Sequence, residues 1–168
     1  MSSGRVAQAK AIGTDVEDLV ADDVGDLDLA LDEDAHHDAV VSDLLCPSLV
    51  EASVPVVFAG IPLVEVGTKV EIKACVRRDG HDRRGRWVIK GRDDGQHAAL
   101  LDAAAMYALA VYDDAGAAKE LLAVVIIPAS LLDEHLRGSW YGIDRREETL
   151  AKLGWPHVLD SSVVEVDC

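Results

Sequence analysis

From Ala11 to Thr68 the sequence has no lysine or arginine. Aromatic residues are equally scarce, at 4%. The three cysteines, Cys46, Cys75 and Cys168, are odd in number, widely spaced and without a CxxC pair. That excludes a disulfide framework and a zinc knuckle and leaves reduced thiols as the expectation. No apolar run reaches the ~18 residues of a membrane-spanning helix. The stretch MSSGRVAQAK lacks the apolar segment of a secretion signal, so a cytoplasmic protein is expected. Also missing are a phosphate-binding Walker loop, a GxSxG nucleophile elbow and a dinucleotide fingerprint, which removes the commonest motifs for nucleotide and acyl-transfer chemistry.

What is present is enough for one packed domain. Hydrophobic residues make up 49% of 168, and no polar linker or internal repeat divides the chain. The boundaries expected are a flexible N-terminus over 1–11, a domain over 12–160 and a tail over 161–168. The net charge of −15 argues against a polyanionic partner. Its distribution argues the other way. Residues 69–92 hold nine cations against three acids, a local +6, while the rest of the chain carries −21. A broad acidic surface around one basic patch suits a halophilic protein that touches a polyanion in a single place.

Along the chain, GTDVEDLVADDVGDLDL carries Val16, Leu19, Val20 and Val24 at helical spacing, with Thr14 or Asp15 placed to cap the first turn. LALDEDAHHD reads as a loop, and AVVSDLL as a short strand or a helical turn. Residues 50–76 are rich in valine and isoleucine and broken by Pro55, Gly60, Pro62 and Gly67, a pattern of short strands, with Gly67-Thr68 turning one into the next. An arginine-rich turn then leads to a strand over 86–90. A helix over GQHAALLDAAA follows, with Asp93 and Asp94 in capping position. MYALAVY and LLAVVIIPA read as buried strands, SLLDEHL and 144–153 as helices, and SSVVEVDC as a disordered tail or an edge strand. The sum is an α/β fold: one mixed sheet flanked by helices.

The chemistry concentrates in KVEIKACVRR. In a strand, Val70, Ile72 and Ala74 enter the core while Glu71 and Lys73 emerge together on the other side. A carboxylate beside an ammonium can hold a divalent cation and, next to it, a group that orients water or stabilises charge in phosphodiester hydrolysis. As an isolated pair, Glu-x-Lys is more often a surface ion pair contributing under about 1 kcal/mol. Adjacent residues rarely share one ion, which speaks against His36 and His37 as a zinc pair.

Several short motifs occur in a fixed order: HHDAVV at 36–41, VEIKAC at 70–75, RRGRWVIK at 83–90, QHAALL at 96–101 and YALAVY at 107–112. Together they resemble the PD-(D/E)xK nuclease superfamily, the restriction-endonuclease-like fold, and more narrowly a group of small proteins of halophilic archaea. The likeness spans roughly residues 12–132. It implies a Mg- or Mn-dependent DNA endonuclease, with a junction-resolving enzyme acting as a homodimer, or a non-catalytic DNA-binding module, as alternatives. Carried over by position, Glu71 is the metal-binding acid and Lys73 the residue that helps activate water. Asp38 is the preceding metal-binding acid, Glu17 a helical glutamate that reaches the metal through water, and Gln96 a contact to the site or the DNA backbone. Arg77, Arg78, Arg83, Arg84, Arg86 and Lys90 would grip DNA phosphates.

The pattern departs from that family in two respects. No proline precedes Asp38, and 33 residues separate it from Glu71. Asp43, Glu51 and Glu65 are therefore rivals for the first acid. A two-residue loop at Gly67-Thr68 turns Glu65 away from Glu71, and a three-residue loop brings it onto the same face.

Overall fold

The computed structural model describes residues 15–31, 36–60, 63–143 and 146–165. The expected flexible segment 1–11, Thr14 and Cys168 lie outside them. In chain order the elements begin with α1 (15–24), β1 (Leu27–Leu29), β2 (Ala39–Val41), β3 (Val56–Phe58) and β4 (Lys69–Val76). A small hairpin, β5 (Arg78–Asp79) and β6 (Arg83–Arg84), leads to β7 (Arg86–Lys90) and α2 (Gln96–Asp102). Then come β8 (Met106–Asp113), β9 (Glu120–Pro128), α3 (Ala129–His135), β10 (Tyr141–Ile143) and β11 (Arg146–Gly154). A 3-10 turn (Trp155–His157) and α4 (Ser161–Val164) follow.

A six-stranded sheet runs in the order β1-β2-β4-β8-β9-β3, and β10-β11-β7 form a second sheet of three strands. The larger sheet is mixed. β4 is parallel to β8 and antiparallel to β2, and β3 closes the far edge parallel to β9. β8 and β9 are apolar almost throughout because the sheet is covered on both faces, so neither strand needs an outward polar side.

Each face has its own core. On one, α1 lays Val16, Val20 and Val24 against Val70, Ile72, Ala108 and Ala110. At about 1.5–3 kcal/mol for each fully buried aliphatic side chain, this stripe fixes the helix on the sheet. On the other, the three-stranded sheet and α2, α3 and α4 bury Trp87, Trp155, Leu132 and Val164 against Tyr107, Leu109 and Val125. Trp87 Nε1 donates to Ala110 O at 2.8 Å and Trp155 Nε1 to Arg77 O at 2.9 Å, whereas Trp140 Nε1 is buried without a partner.

Several local expectations are corrected. Residues 146–154, read as part of a helix, form β11, whose Ala151 and Leu153 point inward and Lys152 outward in antiparallel register with β7. Residues 161–164 are a helical turn with Val164 buried, capped by Asp160, whose side chain accepts from Ser162 N at 2.8 Å. They are neither an edge strand nor a loose tail. Asp93 and Asp94 do not cap α2: its N-cap is Gly95, with no side-chain hydrogen bond. Gly67, at φ 84°, makes the turn that enters β4, with Thr68 N on Glu65 O at 3.2 Å, but the strand pairing with β4 is β2. Val64 pairs instead with Leu45 in an isolated bridge.

Candidate active site

The ladder between β2 and β4 is short, and that shortness builds the site. Only Ala39↔Val70 and Val40↔Lys69 are paired. Extending the register by one step sets Asp38 opposite Glu71. Asp38 N still donates to Val70 O at 3.0 Å, but the next amide of β4, Ile72 N, is taken up by the Asp38 side chain, Oδ2, at 2.8 Å. A carboxylate thus replaces a strand on the edge of β4.

Glu71 and Lys73 leave β4 on the face shared with Tyr107 and Leu109 of β8, their register partners. This face is interior, so Glu71 is only 1% exposed, where the alternation argument had it emerging from the sheet. The burial is polar. Glu71 Oε1 accepts from Lys73 Nζ and, at 2.6 Å, from Gln96 Nε2. Lys73 is half-buried, with its Nζ at this contact.

Gln96 is delivered by a close approach of backbones. Gly91, at φ 71°, lies so near Gly95 that a Cβ on it would come within 2.7 Å of Gln96 N. Glycine is required there for both conformation and space. The next residue, His97, is fully buried and anchors the same turn: Nδ1 lies 2.8 Å from Tyr107 Oη and Nε2 3.3 Å from Asp133 Oδ1. Burial lowers the pKa of the imidazole, with Asp133 opposing, so the ring is neutral. The carboxylate then selects the tautomer with the proton on Nε2, and Nδ1 accepts from Tyr107. The Asp133–His97–Tyr107 chain was not legible in sequence, where His97 stood as an isolated core or surface histidine. Its only local signal is adjacency to Gln96.

Electrostatics ties the remaining acids to the cluster. Burial pushes the Glu71 carboxyl up to about 7; the Asp38 carboxylate adds to the rise and Lys73 opposes it. Glu17, half-buried on α1, is raised by burial and by Asp38, with Lys73 again opposing. Glu17, Asp38, Glu71, Lys73 and Gln96 are therefore one neighbourhood. The rivals are elsewhere: Asp43, Glu51 and Glu65 are all exposed, and Asp43 accepts from Leu44 N at 2.6 Å.

The donor set fits a hard divalent cation. Glu71 Oε2 is buried and has no hydrogen-bond partner, a costly state for a carboxylate oxygen that a cation would relieve. Among the described residues no three His, Cys, Asp or Glu side chains form a ligand cluster. Two carboxylates completed by water is the coordination magnesium commonly takes, whereas zinc calls for three or four protein ligands.

The expected phosphate-gripping residues are largely engaged within the protein. Arg77 pairs with Asp113, Arg78 at 3.0 Å and Arg84 both reach Glu165, and Arg83 lies 3.9 Å from Asp79. Arg84 also stacks over Trp155, 5.1 Å from the ring centre. Arg86 and Lys90 are exposed, and no ion pair among the described residues includes them.

A mixed sheet whose central strand presents Glu-x-Lys beside an acid from a diverging neighbour defines a nuclease-type domain. The family model for the PD-(D/E)XK nuclease superfamily domain matches residues 3–160, and the chain belongs to that family. No curated protein and no solved structure matches it significantly.

Proposed function

We propose that the protein is a Mg- or Mn-dependent endonuclease that hydrolyses DNA phosphodiester bonds. The observation that carries this reading is the state of Glu71: one oxygen held by Lys73 and Gln96, the other buried without a partner, and Asp38 set opposite in the sheet register. Asp38 and Glu71 are the residues that would hold the ion. When bound, it lowers the pKa of a water and offsets charge developing on phosphorus.

The chain's own residues have separable tasks. Lys73, beside Glu71, directs its Nζ at a non-bridging phosphate oxygen or the attacking water. Gln96 fixes the rotamer of Glu71 through Oε1, so Oε2 keeps one orientation. Glu17 supplies a further acceptor for water at the rim. Removing the Lys73 ammonium is expected to cost ~10²–10³-fold in rate, the scale for a single donor aimed at developing charge.

The test compares wild type with Glu71→Ala and Lys73→Ala on linear, single-stranded and four-way DNA, with Mg or Mn, at low and molar salt. Loss of cutting in both variants, with folding intact, supports the proposal. Equal cutting by all three proteins refutes it. Preference for four-way DNA would mark the junction-resolving form.

A further inference from the structure

The sequence puts the basic patch over residues 69–92, yet its arginines on the hairpin, Arg77, Arg78, Arg83 and Arg84, are paired with acids of the same chain. Three cations that take part in no ion pair among the described residues lie on the next sheet. In β7, Trp87 and Ile89 are buried and Arg86 and Lys90 exposed; in β11, Ala151 and Leu153 are buried and Lys152 exposed. The register Gly154↔Arg86, Lys152↔Val88, Leu150↔Lys90 places these cations on one outward face. Lys152 is diagonal to both Arg86 and Lys90, a cross-strand separation of about 7–8 Å, comparable with the step between successive phosphates of one strand. None of the three takes part in an ion pair among the described residues.

Two cavities meet at this face. One, of about 580 Å³, is lined by Arg84, Arg86, Lys152, His135 and His157. The other, of about 320 Å³, is lined by Arg86, Lys152, Val88 and one acid, Asp79, together with Ala74 and Cys75 of β4. Arg86 and Lys152 are common to both. Ala74 and Cys75 lie on β4 beyond Lys73, and at the other end of the row Lys90 precedes Gly91, whose backbone abuts that of Gln96. Exposed Tyr141 borders the cationic face, with the Lys152 ammonium 6.0 Å from its ring centre.

We infer that the outward face of β7 and β11, through Arg86, Lys90 and Lys152, is the track along which a nucleic-acid backbone runs from the active site; this rests on the nuclease reading above. In a chain of net charge −15, a row of cations engaged in no ion pair among the described residues is where phosphates meet least repulsion. Each cation that neutralises a phosphate releases counterions, so its removal has a signature in salt that a merely structural role lacks.

The experiment measures binding of a fluorescent DNA duplex in EDTA, so that nothing is cut, across a KCl series over which thermal unfolding shows the fold intact. Arg86→Ala, Lys90→Ala and Lys152→Ala are each expected to weaken binding several-fold and to flatten log K against log salt by about 1. The triple variant should lose more than tenfold at the lowest salt, Lys152→Arg should keep the wild-type slope, and Lys119→Gln, at the β8–β9 turn, should change neither. Wild type that cleaves DNA while the triple variant keeps its affinity and slope overturns the track and leaves the nuclease reading intact. Wild type that binds with the stated slopes but never cleaves, with Mg or with Mn, supports the track and sinks the nuclease reading.

Discussion

Asp38 stands in for a strand residue: its Oδ2 accepts the amide of Ile72 at 2.8 Å, one step beyond the point where β2 stops pairing with β4. The bond gives Asp38 two tasks, closing the edge of β4 and facing Glu71, and substitutions separate them. Asp38→Asn keeps an oxygen for the Ile72 amide and removes the charge. Asp38→Ala removes both and leaves the amide without its partner, at about 1–3 kcal/mol. Thermal unfolding should therefore show Asp38→Asn near wild type and Asp38→Ala clearly destabilised, while a cleavage assay finds both at least ~100-fold down. An active Asp38→Asn would remove Asp38 from the metal-binding pair.

Glu71 gives a pH dependence whose sign is fixed. Its carboxyl rises from 4.5 to about 7 in the folded protein, so the native state binds that proton more tightly than the unfolded chain does. The resulting stabilisation is complete below the unfolded value and is lost as pH climbs through about 7. In EDTA and constant salt, unfolding free energy should fall between pH 5 and pH 8, by roughly 3 kcal/mol at most. Glu71→Gln should flatten the fall. Added Mg or Mn should restore stability at pH 8, since an ion bound by the native state alone shifts unfolding by mass action. Calorimetry should find metal binding strengthening over the same interval, because the ion displaces the proton.

The same residues show what the sequence could and could not convey. β8 and β9 were legible because a continuous apolar run with valine and isoleucine admits little else in a sheet covered on both faces. Residues 146–154, REETLAKLG, were not. Glu, Leu, Ala and Lys favour helix locally, and the two-residue alternation of Ala151 and Leu153 is confined to one end of the segment. Pairing with β7 overrode propensity. That Glu71 and Lys73 share one face of β4 was legible from local spacing. That Asp38, and not Asp43, Glu51 or Glu65, lies against β4 was not open to sequence reasoning, since it depends on β2, not the segment before Gly67, lying beside β4. Similarly, the partners that occupy Arg77, Arg78 and Arg84 lie 36 to 87 residues away in the chain, at Asp113 and Glu165.

His97 should prove a positioning residue. α2 starts at Gly95 with no side-chain cap, so the first turn, which carries Gln96 to Glu71, is held largely by His97 between Tyr107 and Asp133. His97→Ala leaves a buried hydroxyl without its partner and opens a cavity, and a loss of about 2–4 kcal/mol should follow. Tyr107→Phe is milder, removing one hydrogen bond and almost no volume. At a temperature where it is fully folded, its kcat should fall several-fold with KM unchanged. A rise in KM alone would place Tyr107 in substrate binding instead.

The acid excess predicts a response to salt. With −15 on 168 residues and no lysine or arginine from Ala11 to Thr68, acids of that segment repel one another without local compensation. Screening shortens the Debye length from about 8 Å at physiological ionic strength to about 3 Å at 1 M. The thermal midpoint should therefore climb by several degrees between 0.1 M and 2 M KCl, as a halophilic origin requires. A midpoint independent of KCl would leave the acid excess serving solubility alone.

Glu165 holds the hairpin in check. Its carboxylate takes both Arg78 and Arg84, so two cations next to the β7–β11 face share one acid at the end of α4. Glu165→Gln removes that charge and keeps the size of the side chain. The pairs are partly exposed, so the stability cost should be no more than about 1 kcal/mol. Nucleic-acid affinity should move the other way. With the arginines released, binding in EDTA should tighten several-fold at low salt and its salt dependence should steepen, by up to about 2 in the slope if both reach phosphates. Unchanged binding by Glu165→Gln would mean that Arg78 and Arg84 serve only to dock α4 and Trp155 against the hairpin, and that the phosphate path passes them by.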